Sequence, residues 1–274
     1  MQEEAPSTQA VQGDDSTIRD QAVFWGRHLG IAGNASAGSE VQSRLAVARV
    51  LLVSSGTFGT CVAELLRGSG VGMVETVDAA SEPPPSTTTQ QARHTERGTV
   101  AIDSLAQRVD DLVCDVDLVV CAVAGVSTEV PTLTNRICCD TDTRLLLAVV
   151  AESRMDLGPL VQPGESACYE CMRLREQSMS SSAMENLLYR AHVEGSDTPT
   201  HVLSEALPVA ALYASLVVME AVRILTGIAA PTLLNHVTSV EGVRGTMCTN
   251  RVSRVPRCPV CSRTSVHTTA TDFV

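Results

Sequence analysis

Two Cys-x-x-Cys pairs constrain the fold of this chain more than any other feature of its sequence. The first pair is Cys168 and Cys171, and the second, Cys258 and Cys261, lies close to the C-terminus. Each pair can present two thiolates from one turn, and four thiolates complete the tetrahedral shell that zinc prefers. A shared structural zinc would fasten the C-terminal part of the chain to its body without leaving an open position for catalysis. Two separate redox pairs, or four unrelated core cysteines, are the alternative interpretations.

Composition limits what the chain can do. Its 274 residues are 44% hydrophobic, which is enough for one sizeable core. The formal net charge of -11 argues against a protein that tracks nucleic-acid phosphates, because such a protein carries a basic face. All 20 basic residues are arginines, so the chain has no catalytic lysine, no lysine Schiff base and no Walker-type phosphate lysine.

The N-terminal residues show no targeting pattern. Residues 1–16 are acidic and polar, without the basic and apolar segments of a signal peptide. The longest largely apolar run, Ala206–Met219, is shorter than the roughly 18–20 residues of a membrane span. We therefore expect a cytoplasmic protein that binds no membrane, in which cysteines stay reduced or bind metal. Six further cysteines lie among apolar residues and are interpreted as core residues: Cys61, Cys114, Cys121, Cys138, Cys139 and Cys248.

The clearest local pattern is a strand, a turn and a helix, followed by a second strand. Residues 48–53 form an apolar run of strand length, residues 54–59 a tight turn, and residues 60–68 a helix with one apolar face. The second strand covers residues 73–77 and ends at Asp78. This order and length predict a βαβ unit.

The rest of the chain extends the same alternation. Residues 1–18 are predicted to be disordered, residues 19–263 to form a single domain, and residues 264–274 to form a tail. From residue 158 a Pro/Gly loop leads to the first cysteine pair. The remaining predicted elements are strands at 100–102, 118–122 and 145–150, helices at 104–113, 130–140 and 206–226, and a terminal hairpin within 233–252. We expect an α/β fold: a Rossmann-like, doubly wound, mostly parallel sheet with a C-terminal antiparallel hairpin and a four-cysteine zinc staple.

The turn after the first strand resembles a nucleotide-binding loop that has lost its first glycine. A complete Gly-x-Gly-x-x-Gly loop lets backbone amides approach phosphates at a helix N-terminus. Here Gly56 and Gly59 are present, whereas Ser54 replaces the first glycine. Asp78 stands where a ribose-binding carboxylate would follow the next strand. These four residues are candidates for a vestigial nucleotide site, and an ordinary βα turn is the alternative.

In this order, the elements resemble the ThiF/MoeB/ubiquitin-activating superfamily over residues 20–263. The segment Gln42–Val53 resembles the entry helix and first strand of that superfamily, and residues 54–72 resemble its glycine loop and following helix. The resemblance implies that the two cysteine pairs hold the structural zinc of these proteins. It also implies a homodimer, and the apolar helix at 206–226 would suit an interface.

A narrower resemblance is to the divergent ThiF-like proteins of azole-forming ribosomal peptide biosynthesis, a class that includes bacteriocins and thiopeptides. It is carried by residues 157–175, 214–227 and 255–261. It implies a protein that binds or presents a precursor peptide, through its leader, to a YcaO-type cyclodehydratase. Members of this group often carry an N-terminal winged-helix domain for the leader, for which residues 1–45 are too short, so a separate recognition protein is an open alternative.

Adenylating relatives carry a complete glycine loop, a lysine, and a magnesium-binding aspartate after a later strand. Here the run 118–122 continues into Val123-Ala-Gly125 without an aspartate, and lysine is absent. Without cationic groups and Mg²⁺, charge that develops on phosphates lacks stabilisation. The sequence therefore favours a non-catalytic partner subunit with structural zinc and without ATP or Mg²⁺. An ATP-dependent adenylyltransferase that acts on a peptide or protein carboxylate is the alternative function.

Overall fold

A single seven-stranded sheet organises the computed structural model, which describes residues 15–28, 35–79, 94–125, 128–151, 153–179 and 206–262. The strands are β1 Arg49–Ser54, β2 Met73–Asp78, β3 Leu118–Ala124, β4 Leu145–Ala151, β5 Arg154–Val161, β6 His236–Glu241 and β7 Thr246–Arg251. The helices are α1 Asp15–His28, α2 Ala35–Val47, α3 Gly56–Gly68, α4 His94–Val113, α5 Glu129–Asp140, α6 Tyr169–Met179 and α7 Leu207–Thr226.

The sheet has a parallel half and an antiparallel half. Its strand order is β2-β1-β3-β4-β5-β6-β7, with parallel pairing from β2 to β4 and antiparallel pairing from β4 to β7. The predicted fold class, including the C-terminal hairpin, is therefore confirmed. Ser54 and Asp78 lie side by side in the β1–β2 register, which places them at the carboxyl edge of the parallel strands.

Both faces of the sheet are covered by helices. Along β1, Val50 and Leu52 face a core with helices α2, α3 and α7, whereas Leu51 and Val53 face a core with α4, α5 and α6. A strand that is buried on both faces is continuously apolar, as the run at 48–53 is. Both cysteine pairs belong to the second core, so we refer to that side as the α4/α5 face and to the other as the α3/α7 face.

Helix α7 is long and apolar enough to span a membrane, but the central helix of a folded core can have the same length and composition. In this fold, 56% of its apolar window is buried inside the protein. Tyr213 packs edge-on against Phe58 of α3 with ring centroids 6.5 Å apart. Its hydroxyl donates to the Ser153 carbonyl (2.5 Å) and accepts from the Gly242 amide (2.9 Å). These contacts identify α7 as a central helix of the α3/α7 face.

The strand predicted at residues 100–102 is wrong, because these residues lie inside α4. Leu105, Val109 and Val113 of this helix are buried in the α4/α5 face. Their spacing of four residues is helical. An apolar run of three residues alone cannot distinguish a strand from a helix.

Strand β5 was not predicted, because Gly158 and Pro159 indicated a loop. In the structure Gly158 lies within the strand with φ of +99°. A Cβ atom at this position would lie 2.6 Å from the His236 carbonyl oxygen. The glycine therefore permits close approach of two backbones, a recognised role of glycine inside strands.

The N-terminal boundary also differs from the prediction of disorder over residues 1–18. Residues 15–18 lie in α1, which pairs closely with α2. A Cβ at Gly38 of α2 would overlap the Ala22 carbonyl of α1, so this glycine permits the close helix contact. Residues 1–14 and the predicted tail at 264–274 lie outside the described residues.

Candidate functional site

The four cysteines of the two Cys-x-x-Cys pairs meet at one point. Their sulfur atoms all lie within 4.8 Å of one another, and all four residues are buried. Cys168 and Cys171 open helix α6, whereas Cys258 and Cys261 lie in the turns that follow β7. The structure therefore brings the predicted ligand set together, and the cluster could hold a metal ion.

The spacing of the sulfurs fits a tetrahedral tetrathiolate site. The Sγ–Sγ distances are 3.8 Å for Cys168–Cys171, 3.7 Å for Cys168–Cys258 and 3.5 Å for Cys171–Cys261. A tetrahedron with metal–sulfur bonds of about 2.3 Å has edges of about 3.8 Å. The distances are too long for disulfide bonds. Because the two pairs meet in one buried cluster, the arrangement suits one shared metal site better than two separate redox pairs.

Neighbouring groups orient the cluster. Asn135 of α5 is fully buried, and its Oδ1 accepts from the backbone amides of Ala167 (2.8 Å) and Tyr169 (3.1 Å), which flank Cys168. The amide of Val255 donates to the sulfur of Cys171 at 3.3 Å. Such outer contacts fix the orientation of metal ligands. The sequence interpretation missed Asn135, although its position one helical turn before Cys139 placed it on the same helix face.

Two arginines hold the second cysteine pair against the body of the protein. The guanidinium of Arg254 donates to the carbonyls of Gly164 (2.6 Å) and Cys261 (3.2 Å). Arg175 of α6 donates to the carbonyls of Ser253 (2.6 Å) and Arg254 (2.9 Å). The C-terminal turns are therefore attached to the first pair by backbone contacts as well as by the cluster.

Contacts between the thiols shift their pKa values within the cluster. Hydrogen bonds from neighbouring thiols, first that of Cys139, lower the pKa of Cys168 well below its ordinary value. The hydrogen bond with Cys168 in turn raises the pKa of Cys171 to about 11 and, more strongly, that of Cys261. A divalent cation bound by all four sulfurs would favour the thiolate form of each ligand. Cys121 differs, because burial raises its pKa to about 12, as expected of a core thiol.

Replacing Asn135 by alanine is expected to weaken metal binding roughly 10- to 100-fold, the usual effect of losing an outer-shell contact. The two amides that flank Cys168 would lose their acceptor, so the first cysteine pair would be less well oriented. Competition for zinc with a chromophoric chelator measures the change. Asn250→Ala, at an exposed position on β7, is the control. Equal zinc retention by both variants would contradict a positioning role for Asn135.

The loop between β1 and α3 keeps two of the three features of a nucleotide loop. Gly56 opens α3 with φ of +66°, a conformation that favours glycine. Gly59 is buried, and a Cβ there would lie 2.5 Å from the Cβ of Ser54. The serine side chain therefore lies against the helix, and Gly59 serves close packing of helix on strand, the role of the third glycine in such loops. Asp78 is exposed beside Ser54, so the structure brings all four candidates together.

The strand next to this loop ends without a carboxylate. The amide of Ala124, at the end of β3, donates to Ser55 Oγ at 3.1 Å, which joins the ends of the two strands. From residue 118 to residue 128 the sequence contains no aspartate or glutamate. Among the four candidate residues, Asp78 therefore supplies the carboxylate at the carboxyl edge of β1, β2 and β3. The chain has no lysine that could lie beside it.

Solved structures share this fold at low sequence identity. Escherichia coli MccB with ATP is 19% identical, with 86% of this chain and 72% of that chain covered and a TM-score of 0.58. Escherichia coli MccB with SeMet MccA is 18% identical, with 91% and 75% covered and a TM-score of 0.61. A heterocyclase in complex with substrate and cofactor is 16% identical with a TM-score of 0.58; 88% of this chain is covered but only 28% of that one. At these identities the similarity shows the fold alone.

No curated protein sequence matches the chain. A family model does match: the model described as ThiF family covers residues 86–260, a span that contains β3 to β7, the first cysteine pair and Cys258, and that ends one residue before Cys261. The match covers more than half of the sequence, and the topology and cysteine cluster agree with the resemblance noted above. The chain is a member of the ThiF family.

Proposed function

We propose that this chain is a non-adenylating ThiF-like scaffold that binds or presents a ribosomal precursor peptide to a YcaO-type cyclodehydratase, which forms azolines, thiazoles or oxazoles. The observation that carries the proposal is the carboxyl edge of β1, β2 and β3. The described part of this edge keeps the strand–loop–helix arrangement and Asp78, but the chain has no lysine, and β3 and the residues up to 128 carry no aspartate or glutamate. A protein that keeps this fold but lacks the groups that stabilise charge on phosphates is suited to binding a peptide and not to adenylating it.

The missing groups can be named. Catalysis at phosphates depends on Mg²⁺ and cationic side chains that neutralise developing charge. The sequence has no lysine, and residues 118–128, from the start of β3 to the residue before α5, contain no aspartate or glutamate that could hold Mg²⁺. Ser54 packs against Gly59 where a complete loop has a glycine. Ser54 and the end of β3 lie next to each other in the sheet, so these two departures fall where a nucleotide would bind, which supports loss of adenylation.

Two comparisons support a role with peptides. One neighbour is MccB with MccA, and another is a heterocyclase with substrate and cofactor. The present chain covers only 28% of the heterocyclase chain. This is expected if the ThiF-like domain is a separate subunit here, whereas the heterocyclase contains such a domain within one longer chain. The resemblance of residues 157–175, 214–227 and 255–261 to azole-biosynthesis proteins points to the same partner. On this proposal zinc is structural, the protein is cytoplasmic, and it acts as a homodimer.

The proposal is tested by reconstitution. The YcaO-type enzyme, its precursor peptide and ATP are incubated with and without this chain, and ring formation is followed as loss of one water per ring by mass spectrometry. Addition of the chain is expected to raise the rate, and Asp78→Ala is expected to raise it as effectively as the wild type. Because Asp78 is exposed, the substitution should not perturb folding. No acceleration by the wild-type chain would refute the proposed function.

An adenylyltransferase acting on a peptide or protein carboxylate is the second candidate, favoured by the positive φ of Gly56 and by the position of Asp78 beside the loop. The two functions differ in what the isolated chain does with ATP. On the scaffold proposal, calorimetric titration with ATP and Mg²⁺ shows no tight binding, and pyrophosphate exchange with the precursor peptide is absent. Exchange that disappears in Asp78→Ala would establish the adenylyltransferase instead.

A further inference from the structure

Strand β7 forms one edge of the sheet and is exposed along its whole length. It is the terminal strand of the sheet and pairs with β6, so within the described ranges no strand pairs with its outer side. All six of its residues are exposed, and Met247 keeps 56% of its surface accessible. The edge is thus a row of backbone donors and acceptors open to a further strand.

The register determines which backbone groups point outward. The amide of Val252 donates to the carbonyl of Asn235 at 2.8 Å, so these opposed residues form a hydrogen-bonded pair. Hydrogen-bonded and non-hydrogen-bonded pairs alternate in antiparallel strands. Thr238 and Thr249 then form a non-hydrogen-bonded pair, and their hydroxyl oxygens lie 2.9 Å apart, as expected for such neighbours. By the same alternation, three residues direct their backbone N–H and C=O groups away from the sheet: Met247, Thr249 and Arg251.

The edge lacks most of the features that usually block unwanted pairing. Proteins protect exposed edges with lysine, proline, bulges or inward-pointing charges. Strand β7 has the sequence Thr-Met-Cys-Thr-Asn-Arg, and its pairing with β6 runs in continuous register from Glu241–Thr246 to His236–Arg251. Only the arginine at its end is charged. An edge that is regular and unprotected over six residues is suited to strand addition.

The charge around the edge indicates its partner. Residues 242–262 contain four arginines and no aspartate or glutamate, in a chain of net charge -11. Arg244, Arg251 and Arg257 are exposed. The neighbouring carboxylate of Glu241 faces Arg154 in the β5–β6 register. A second copy of this edge would bring two sets of these arginines near each other, whereas an acidic peptide would be attracted to them.

From these observations we infer that the outer edge of β7 binds an extended acidic peptide, which pairs with the outward-facing backbone groups of Met247, Thr249 and Arg251. The inference rests on the proposed function, since it names where the precursor peptide would bind and the chemical class of the bound segment. The sheet would gain an eighth strand next to β7, and the arginines would select acidic side chains.

Amide hydrogen exchange tests the site directly on the isolated chain. The probe is a synthetic peptide in which glutamate and valine alternate over the length of β7. At saturation, exchange at Met247, Thr249 and Arg251 is expected to slow by about tenfold or more, because their amides become hydrogen-bonded. The amides of Cys248 and Asn250, which already face β6, should change little. Unchanged exchange at the three outward amides would overturn the inference.

A proline substitution gives an independent test. Thr249→Pro removes an outward N–H that the sheet does not use, and proline is tolerated at such edge positions. The variant is expected to bind the peptide roughly tenfold more weakly at an unchanged melting temperature, since a strand contact is lost. Thr249→Ser, which keeps the N–H and the hydroxyl, should bind as the wild type does. A peptide with lysine in place of glutamate should also bind about tenfold more weakly.

The outcomes separate this site from the proposed function. If Thr249→Pro binds the peptide as the wild type does, the edge is not the docking site. If the same variant still accelerates the cyclodehydratase fully, the scaffold function stands and this inference fails. If Thr249→Pro converts a dimer into a monomer in sedimentation experiments without affecting peptide affinity, the edge belongs to a second copy, and the inference is likewise overturned.

Discussion

A Cys258→Ser variant is expected to lose its bound metal and much of its stability. The wild type should contain about one zinc per chain, because the four buried sulfurs form one closed site, and the variant should contain almost none. Metal that binds only the folded state contributes about 4 kcal/mol when its free concentration is a thousand times the dissociation constant. Elemental analysis and thermal unfolding measure the two effects.

The matched control is Cys248→Ser, because Cys248 is exposed on β7 and lies outside the cluster. The interpretation of Cys248 and Cys114 as core residues was wrong, since both are exposed. This variant should keep its metal and the melting temperature of the wild type. A strong chelator should lower the melting temperature of the wild type and of Cys248→Ser, but not that of Cys258→Ser. Retention of stoichiometric metal by Cys258→Ser would show that the ligand set is wrong.

Glu220→Ala is expected to lower the free energy of unfolding by about 1–3 kcal/mol, the usual cost of leaving a buried hydrogen-bond donor without its partner. Glu220 is only 1% exposed. Its carboxylate accepts from the amides of Thr232 (2.6 Å) and Leu233 (3.1 Å) and from the Thr232 hydroxyl (2.9 Å). It also pairs with Arg223 at 2.8 Å. Removing it would leave the amide of buried Leu233 without an acceptor and would release the turn that leads into β6.

Glu40→Ala provides the comparison, because Glu40 also pairs with an arginine on its own helix. The side chains of Glu40 and Arg44 are 63% and 52% exposed, however. Exposed pairs of this kind contribute about 0.5 kcal/mol or less. Urea unfolding of both variants at the same metal concentration gives the two values. Similar losses for the two substitutions would show that Glu220 does not anchor the turn.

The sequence predicted the parallel half of the sheet well, because its pattern is local. The apolar run at 48–53, the glycine turn and the strand that ends at Asp78 are contiguous, and they occur as β1, α3 and β2 with small shifts of boundary. The hairpin near the C-terminus and the meeting of the cysteine pairs were also predicted. In each case the pattern itself fixes the conformation: buried parallel strands are continuously apolar, and paired thiolates have a common preferred geometry.

The remaining features depend on contacts between distant residues. The sequence around Gly158 suggests a loop. Its role inside β5 becomes clear only in the structure, where the carbonyl of His236 lies close to it. In the sequence, Asn135 is simply a polar residue within a predicted helix. Its role is visible only in the structure, where the amides on either side of Cys168 donate to it. The exposed edge of β7 depends on the strand order of the whole sheet. The roles of Gly158, Asn135 and the β7 edge all depend on tertiary contacts, which the periodicity of the sequence does not reveal.

The cysteine cluster also affects the order in which the chain can fold during synthesis. Cys168 and Cys171 are translated 90 residues before Cys258 and Cys261, and β5 is made long before its partner β6. Until the last strands leave the ribosome, the growing chain has an open edge at β5 and only two of four thiols. Closing so long a loop costs conformational entropy, and the metal can contribute to the fold only afterwards. A nascent chain paused before residue 258 would therefore keep the β5 edge and the first cysteine pair open, and this sheet would be completed only after Cys261 has left the ribosome.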